Sequence, residues 1–91
     1  MNKAELIAKV AQKTEMTKKD TEKIVSAVWD TIIEEVAEGN KIQIIGFGTF
    51  EQRIRKEHIG RKPGTDEQII VPESKIPAFK PGKTFKDNVN Q

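Results

Sequence analysis

Between Arg53 and Ile76 the chain reads RIRKEHIGRKPGTDEQIIVPESKI, two extended stretches joined by a charged tip. In a strand successive side chains point to opposite faces, so Arg53 and Arg55 share one face while Ile54, Lys56 and His58 take the other. At the tip, Gly60-Arg61-Lys62-Pro63-Gly64-Thr65, Pro63 presets φ and Gly64 supplies the positive φ of a type II turn. Ile69-Ile70-Val71 is β-branched and returns the chain. Pro72 and Pro77 confine that returning half to an edge, because proline cannot donate to a central ladder. A two-stranded ribbon alone is marginal in water, and no other stretch is suited to cover this one. The chain therefore has to root a long basic ribbon in a small body and leave it free for a partner.

The body has little material for a core. Ninety-one residues make a single small domain, of which 35% are hydrophobic and 33% charged. No cysteine staples it, which favours help from a second subunit and removes disulfides, thiol catalysis and cysteine-based zinc sites. No apolar run approaches the ~20 residues of a membrane span, and the N-terminus lacks the apolar segment of a signal peptide. The expectation is a cytoplasmic protein with no membrane partner. The net charge is only +2, but it is unevenly placed. Residues 1–40 carry six lysines against eight acids, and residues 41–91 carry ten cations against six acids. That asymmetry points to a basic patch rather than a uniformly charged surface.

Asn2, with Glu5 as its capping-box partner, predicts a first helix that carries Leu6, Ile7, Val10 and Ala11 on one stripe and ends near Lys13. Thr17 with Asp20 predicts a second, running to about Glu38 and stopped by Gly39. Its apolar set is Ile24, Val25, Ala27, Val28, Trp29, Ile32, Ile33, Val36 and Ala37. This covers more than the arc of roughly 100° that one small core needs. Either the helix is wholly internal, or its second face meets the same helix of another subunit. Lys41–Ile45 reads as a short strand, and Gly46-Phe47-Gly48 as the turn that sends Phe47 inward before the long strand. Trp29, Phe47, Phe50 and Phe79 are the expected aromatic core. Pro81-Gly82 precedes a last short helix from Lys83 to about Val89, with Lys80, Lys83 and Lys86 clustered at its start. Cations there oppose the helix dipole unless a phosphate sits at the same end. The fold class is α+β: a helical body, a small antiparallel sheet and a long β-ribbon arm.

These residues together resemble the HU/IHF family of bacterial histone-like DNA-bending proteins. The resemblance covers essentially the whole chain: MNKAELIAKVAQK at the start, IQIIGFGTFEQRIR, the tip GRKPGT, and IPAFKPGKTFKDNV at the end. It implies an intertwined dimer, homodimeric or with a paralogue, in which residues 1–40 are the helical dimerisation part. Residues 41–52 and 77–91 would form the body sheet and C-terminal helix, and 53–76 the arm. The partner it implies is double-stranded DNA in a bacterial nucleoid, preferably bent, nicked or distorted. Arms enter the minor groove, and Pro63 wedges between base pairs. Carried over by position, Arg53, Arg55, Lys56, His58, Arg61, Lys62 and Lys75 line the arm. Lys3, Lys80, Lys83 and Lys86 are the phosphate contacts of the body, and Trp29, Phe47, Phe50 and Phe79 the dimer core.

Three features depart from the family pattern. His58 stands where a basic or small polar residue is usual, Gly64 directly follows Pro63, and Asp66 replaces a later glycine. With Glu57, Asp66, Glu67 and Glu73, the arm sets four anions against six cations over residues 53–76, so non-specific binding should be weaker than in a more basic member. A sequence-specific DNA bender of the IHF kind and a protein-interaction module that adds its ribbon to a partner's sheet are the alternatives. Catalysis is not expected: there is no phosphate loop, nucleophile elbow or zinc-protease signature. No pair of carboxylates sits in an apolar setting that would separate their pKa values. A lone histidine makes no metal site, and no cofactor or small-molecule substrate is implied.

Overall fold

Asn2 starts the first helix by accepting the Glu5 backbone N–H on its side-chain oxygen at 2.9 Å. The computed structural model describes residues 1–91. Helix α1 spans Lys3–Thr14 and ends on Glu15, a non-glycine residue in the left-handed region at φ 57°. Thr17 Oγ1 accepts the Asp20 N–H at 3.2 Å and begins α2, Lys18–Ala37. Each capping residue thus satisfies one free N–H of the first turn. Gly39 (φ 91°) donates to Val36 and Asn40 to Glu35, the paired bonds of a Schellman stop. The chain divides into compact units Met1–Glu34 and Glu35–Gln91.

In the first unit Ile7, Ala11 and Thr21 are buried, but Leu6, Ile24, Val28 and Ile33 are exposed. A wholly internal α2 is therefore not observed. The expected second apolar face exists and is bare, with Ile33 at 66% exposure.

The second unit holds the strands β1 (Ile42–Ile44), β2 (Gly48–Arg55), β3 (His58–Arg61), β4 (Gln68–Val71) and β5 (Ser74–Pro81), then α3 (Lys83–Val89). β1, β2 and β5 form one antiparallel sheet in that order, and β3 and β4 a separate pair. The prolines of β5 lie on an edge strand, as their missing N–H demands. Gly48 is a close approach: a Cβ there would stand 2.6 Å from the Lys80 carbonyl oxygen and from the Phe79 ring. At α2's last turn, Gln52 Nε2 donates to the Val36 carbonyl (3.3 Å), which also accepts from Gly39, and to that of Ala37 (3.5 Å).

The ribbon is not one unbroken ladder. Lys56 and Glu57 on the outgoing strand, and Pro72 and Glu73 on the return, are unpaired. Pro72 has no N–H to give the ladder at this point. Equal numbers are skipped on both strands, so the register resumes without slip: Arg55 pairs with Ser74 before the gap and His58 with Val71 after it.

The aromatic core differs from expectation in membership. Phe47, Phe50, Phe79 and Phe85 form the cluster, with ring centroids 4.8 Å apart for Phe50–Phe79, 5.3 Å for Phe47–Phe79 and 5.5 Å for Phe47–Phe85. Trp29 belongs to the other unit, where Lys3 Nζ sits 5.3 Å from its ring centre. Phe47 turns onto the cluster but stays 41% exposed.

Candidate nucleic-acid interface

The register of β2 against β5 sorts the side chains onto two faces. Thr49, Glu51, Arg53 and Arg55 stand opposite Lys80, Ala78, Ile76 and Ser74 on one face. Phe50, Gln52 and Ile54 stand opposite Phe79, Pro77 and Lys75 on the other. The first face is cationic and the second is the floor of the aromatic cluster. β1 obeys the same division, with Ile42 opposite Phe50 and Gln43 opposite Thr49.

At the centre of the cationic face lies a carboxylate. Glu51 Oε1 receives Lys80 Nζ at 3.0 Å and Arg53 Nε at 3.4 Å, while Oε2 lies 3.6 Å from Lys41 Nζ. Glu51 keeps 13% side-chain exposure beneath cations that keep 51–64%. The hydrogen bond from Lys80 is the main reason its carboxyl is held below the ordinary value of 4.5. Partial desolvation opposes that shift; the charges of Lys80 and Lys41 and the Arg53 hydrogen bond reinforce it. Lys41 was not among the expected arm or phosphate-contact cations. It sits at the edge of the patch, and its odd-numbered step with Gln43 was the available signal.

Arg55 extends the face toward the gap. Its Nη2 is 3.4 Å from His58 Nε2, and His58 Nδ1 is 3.2 Å from the Lys56 carbonyl oxygen. An arginine only donates and a carbonyl only accepts, so the tautomer with its hydrogen on Nδ1 suits both contacts. His58 thus links Arg55 to the unpaired Lys56.

Beyond the gap, Ile59 is opposite Ile70 and Arg61 opposite Gln68. The tip then closes with Lys62 N–H donating to Glu67 O at 3.0 Å and Thr65 N–H to Lys62 O at 3.2 Å. Gly64 has φ 80°, so Lys62–Thr65 is the type II turn expected, with Pro63 exposed at its first central position. The turn sits within a longer loop, because Thr65 and Asp66 follow before the strands pair.

The anticipated cations are not all brought together. Arg53, Arg55 and Lys80 share one face, and Arg61 and Lys62 lie at the tip. Lys75 is across from Ile54 on the opposite face, and Lys56 lies in the gap. Their even and odd steps along strands of period 2 separate them. Lys83 opens α3, but Lys86 lies in its last turn, where a cation suits the dipole; the three lysines do not cluster at the helix start. Lys3 belongs to the first unit.

A family model described as "Bacterial DNA-binding protein" matches residues 1–90. The chain belongs to the HU/IHF family. Among its relatives, DNA-binding protein HU 1 of Bacillus subtilis is 55% identical over 89 residues, covering 98% of this chain and 97% of that protein. An Anabaena HU–DNA cocrystal structure superposes with a TM-score of 0.94 at 45% identity, covering 98% of this chain and 97% of that one. HU from Thermotoga maritima gives a TM-score of 0.70 at 39% identity over 98% of both chains.

Proposed function

We propose that this protein is a dimeric architectural protein of the bacterial nucleoid that binds double-stranded DNA with little sequence preference and bends it. The observation that carries the reading is the full-length likeness to the HU chain of an HU–DNA cocrystal, joined to a ribbon whose cations stand on the face left free by the aromatic cluster. Arg53, Arg55 and Lys80 supply phosphate contacts, with Lys3, Lys83 and Lys86 on the body. Lys56, His58 and Lys75 line the sides of the arm, and Arg61 and Lys62 its tip. Pro63 is the wedge: it is exposed, rigid and held at a turn by hydrogen bonds on either side.

A second chain closes what one chain leaves open. Phe47, Phe50 and Phe79, with Phe85, supply one apolar surface, and the bare face of α2 with Trp29 another. The role is that of a binding protein rather than an enzyme.

Most affinity comes from neutralised phosphates, so binding must fall steeply with salt. Smooth bending of a site of 20–30 base pairs takes about 1–6 kcal/mol, and opening a stacked step adds a few more. Nicked or mismatched DNA, already flexible, should bind more tightly. A gel shift at two salt concentrations, paired with energy transfer between dyes at the ends of the duplex, tests the proposal. Failure to bind duplexes even in dilute buffer, or binding with no change in end-to-end distance, overturns it.

A further inference from the structure

Resting on that DNA-binding reading, we propose that His58 is a positioning residue that couples DNA binding to proton uptake. In its neutral form the ring holds the Arg55 guanidinium at the break in the ribbon, and protonation releases that guanidinium to a phosphate. Histidine is the one side chain whose charge ordinarily changes between about pH 5 and 8. This chain has a single histidine and no cysteine, so a proton taken up by a side chain in that window has one place to go.

Arg55 is the last paired residue of β2 and His58 the first of β3, with Lys56 and Glu57 unpaired between them. Odd and even positions of an unbroken strand point to opposite faces. The break lets these two side chains meet, with Arg55 Nη2 3.4 Å from His58 Nε2. The other ring nitrogen, Nδ1, lies 3.2 Å from the Lys56 carbonyl oxygen. That oxygen can only accept, so Nδ1 keeps its hydrogen and anchors the ring in both protonation states. Only Nε2 changes role. In the neutral ring it accepts from Arg55; in the imidazolium it is a donor facing a donor, and two positive groups stand together.

Nothing nearby offsets that repulsion. The charged residues of the break are Lys56 and Glu57 on the outgoing strand and Glu73 on the return, and Val71 lies opposite His58 in β4. Every ion pair of the chain belongs to Glu51, so no carboxylate stands within 4.0 Å of the ring. The ring is half-buried and Arg55 is exposed, which makes the guanidinium the group that moves. Released, it returns to the face it shares with Arg53 and Lys80. A phosphate there binds it and favours the charged ring beside it. Proton and DNA then raise each other's affinity by the same factor, and binding tightens as pH falls.

Anisotropy titrations of one labelled duplex at about pH 5.5 and about pH 8, bracketing the histidine range, test this with the intact protein. The parent should bind roughly fivefold more tightly at the lower pH, the low end of ordinary coupling between sites. Its salt slope there should be steeper by up to about 0.9 per arm. His58→Gln, whose amide oxygen can accept from Arg55 but takes no proton, should bind alike at both. In Arg55→Gln the step with pH should shrink, since only the ring's own charge remains. The Hε1 resonance of the single imidazole should titrate at higher pH once duplex is added. Equal parental affinities at the two pH values, or a His58→Gln protein that keeps the parent's step, overturn the inference while leaving the DNA-binding reading intact. So does a step of unchanged size in Arg55→Gln, because His58 would then have no part in placing the guanidinium. A parent that binds the duplex at neither pH overturns the reading beneath it as well.

Discussion

Replacing Glu51 with glutamine should raise affinity for duplex DNA and steepen its salt dependence. In the free protein this carboxylate takes Lys80 and Arg53 on one oxygen and faces Lys41 with the other. A phosphate arriving at the cationic face must compete for cations that are already partly neutralised. Glutamine has nearly the same shape and keeps a carbonyl oxygen for Lys80, but it removes the opposing charge. Each phosphate neutralised contributes about −0.9 to the slope of log K against log salt. Removing one competing anion from each of the two faces of a dimer should therefore steepen the slope by up to about 2. Between 50 and 200 mM salt, that changes the variant's advantage over the parent by roughly tenfold, with the larger advantage at low salt.

Fluorescence anisotropy with one labelled duplex, titrated at several salt concentrations with parent and variant, measures both quantities. The fold should be little affected, because ion pairs whose cations are more than half exposed contribute little to stability. Parallel lines of equal intercept would refute the reasoning: the cations gathered by Glu51 would then lie outside the interface.

Other consequences are independent of that experiment. The Glu51 carboxyl titrates lower in the folded protein than its ordinary 4.5, so its stabilising contribution is present above that value and lost as pH falls through the folded one. Glu51→Gln should flatten the fall of melting temperature in that acid window, and a curve identical to the parent's would contradict it. Gly48→Ala should lower stability by about 1–3 kcal/mol, because the added methyl meets a backbone oxygen and the Phe79 ring at 2.6 Å; thermal denaturation with no loss would refute the close approach. Pro63→Ala should reduce bending, read by energy transfer, more than it reduces affinity, and a variant that bends DNA as the parent does would remove the wedge. The melting temperature should rise with protein concentration, as for any fold completed by association; a constant value with a monomeric mass in sedimentation would exclude the dimer.

What could be read in the sequence was local. Asn2 and Thr17 as helix caps, Gly39 as the stop of α2 and Pro63-Gly64 as a type II turn each depend on residues within a few positions. The loop was harder. Taken alone, a two-residue turn at Pro63-Gly64 would pair Lys62 with Thr65, whereas the chain inserts Thr65 and Asp66 and pairs Lys62 with Glu67. That difference leaves the faces unchanged but moves every cross-strand partner by two. It sets Thr49 opposite Lys80 rather than Ala78, and so brings Lys80 within reach of Glu51. The hub on the cationic face thus follows from two residues at the far end of the arm, which no local pattern reveals. Phe85 was missed for a similar reason: its place in the aromatic cluster is fixed by the return of β5 and the turn after Pro81, not by its own surroundings.

The two faces of β2 and β5 tie DNA binding to association. The strands that bear Arg53, Arg55 and Lys80 carry Phe50, Phe79 and Pro77 on their backs. The aromatic cluster on that back keeps Phe47 41%, Phe79 38% and Phe85 36% exposed in a single chain. Burying a phenylalanine fully is worth about 1.5–3 kcal/mol, so a second chain that closes the cluster supplies stability that the sheet lacks alone. The position of the cations depends on that sheet holding its shape. A monomer would carry the same charges on a loosely supported ribbon, and would spend binding energy on ordering it when DNA arrives. Substitutions on the aromatic back, far from any phosphate, should therefore weaken DNA binding in proportion to the dimer they dissociate, and raising protein concentration should restore it.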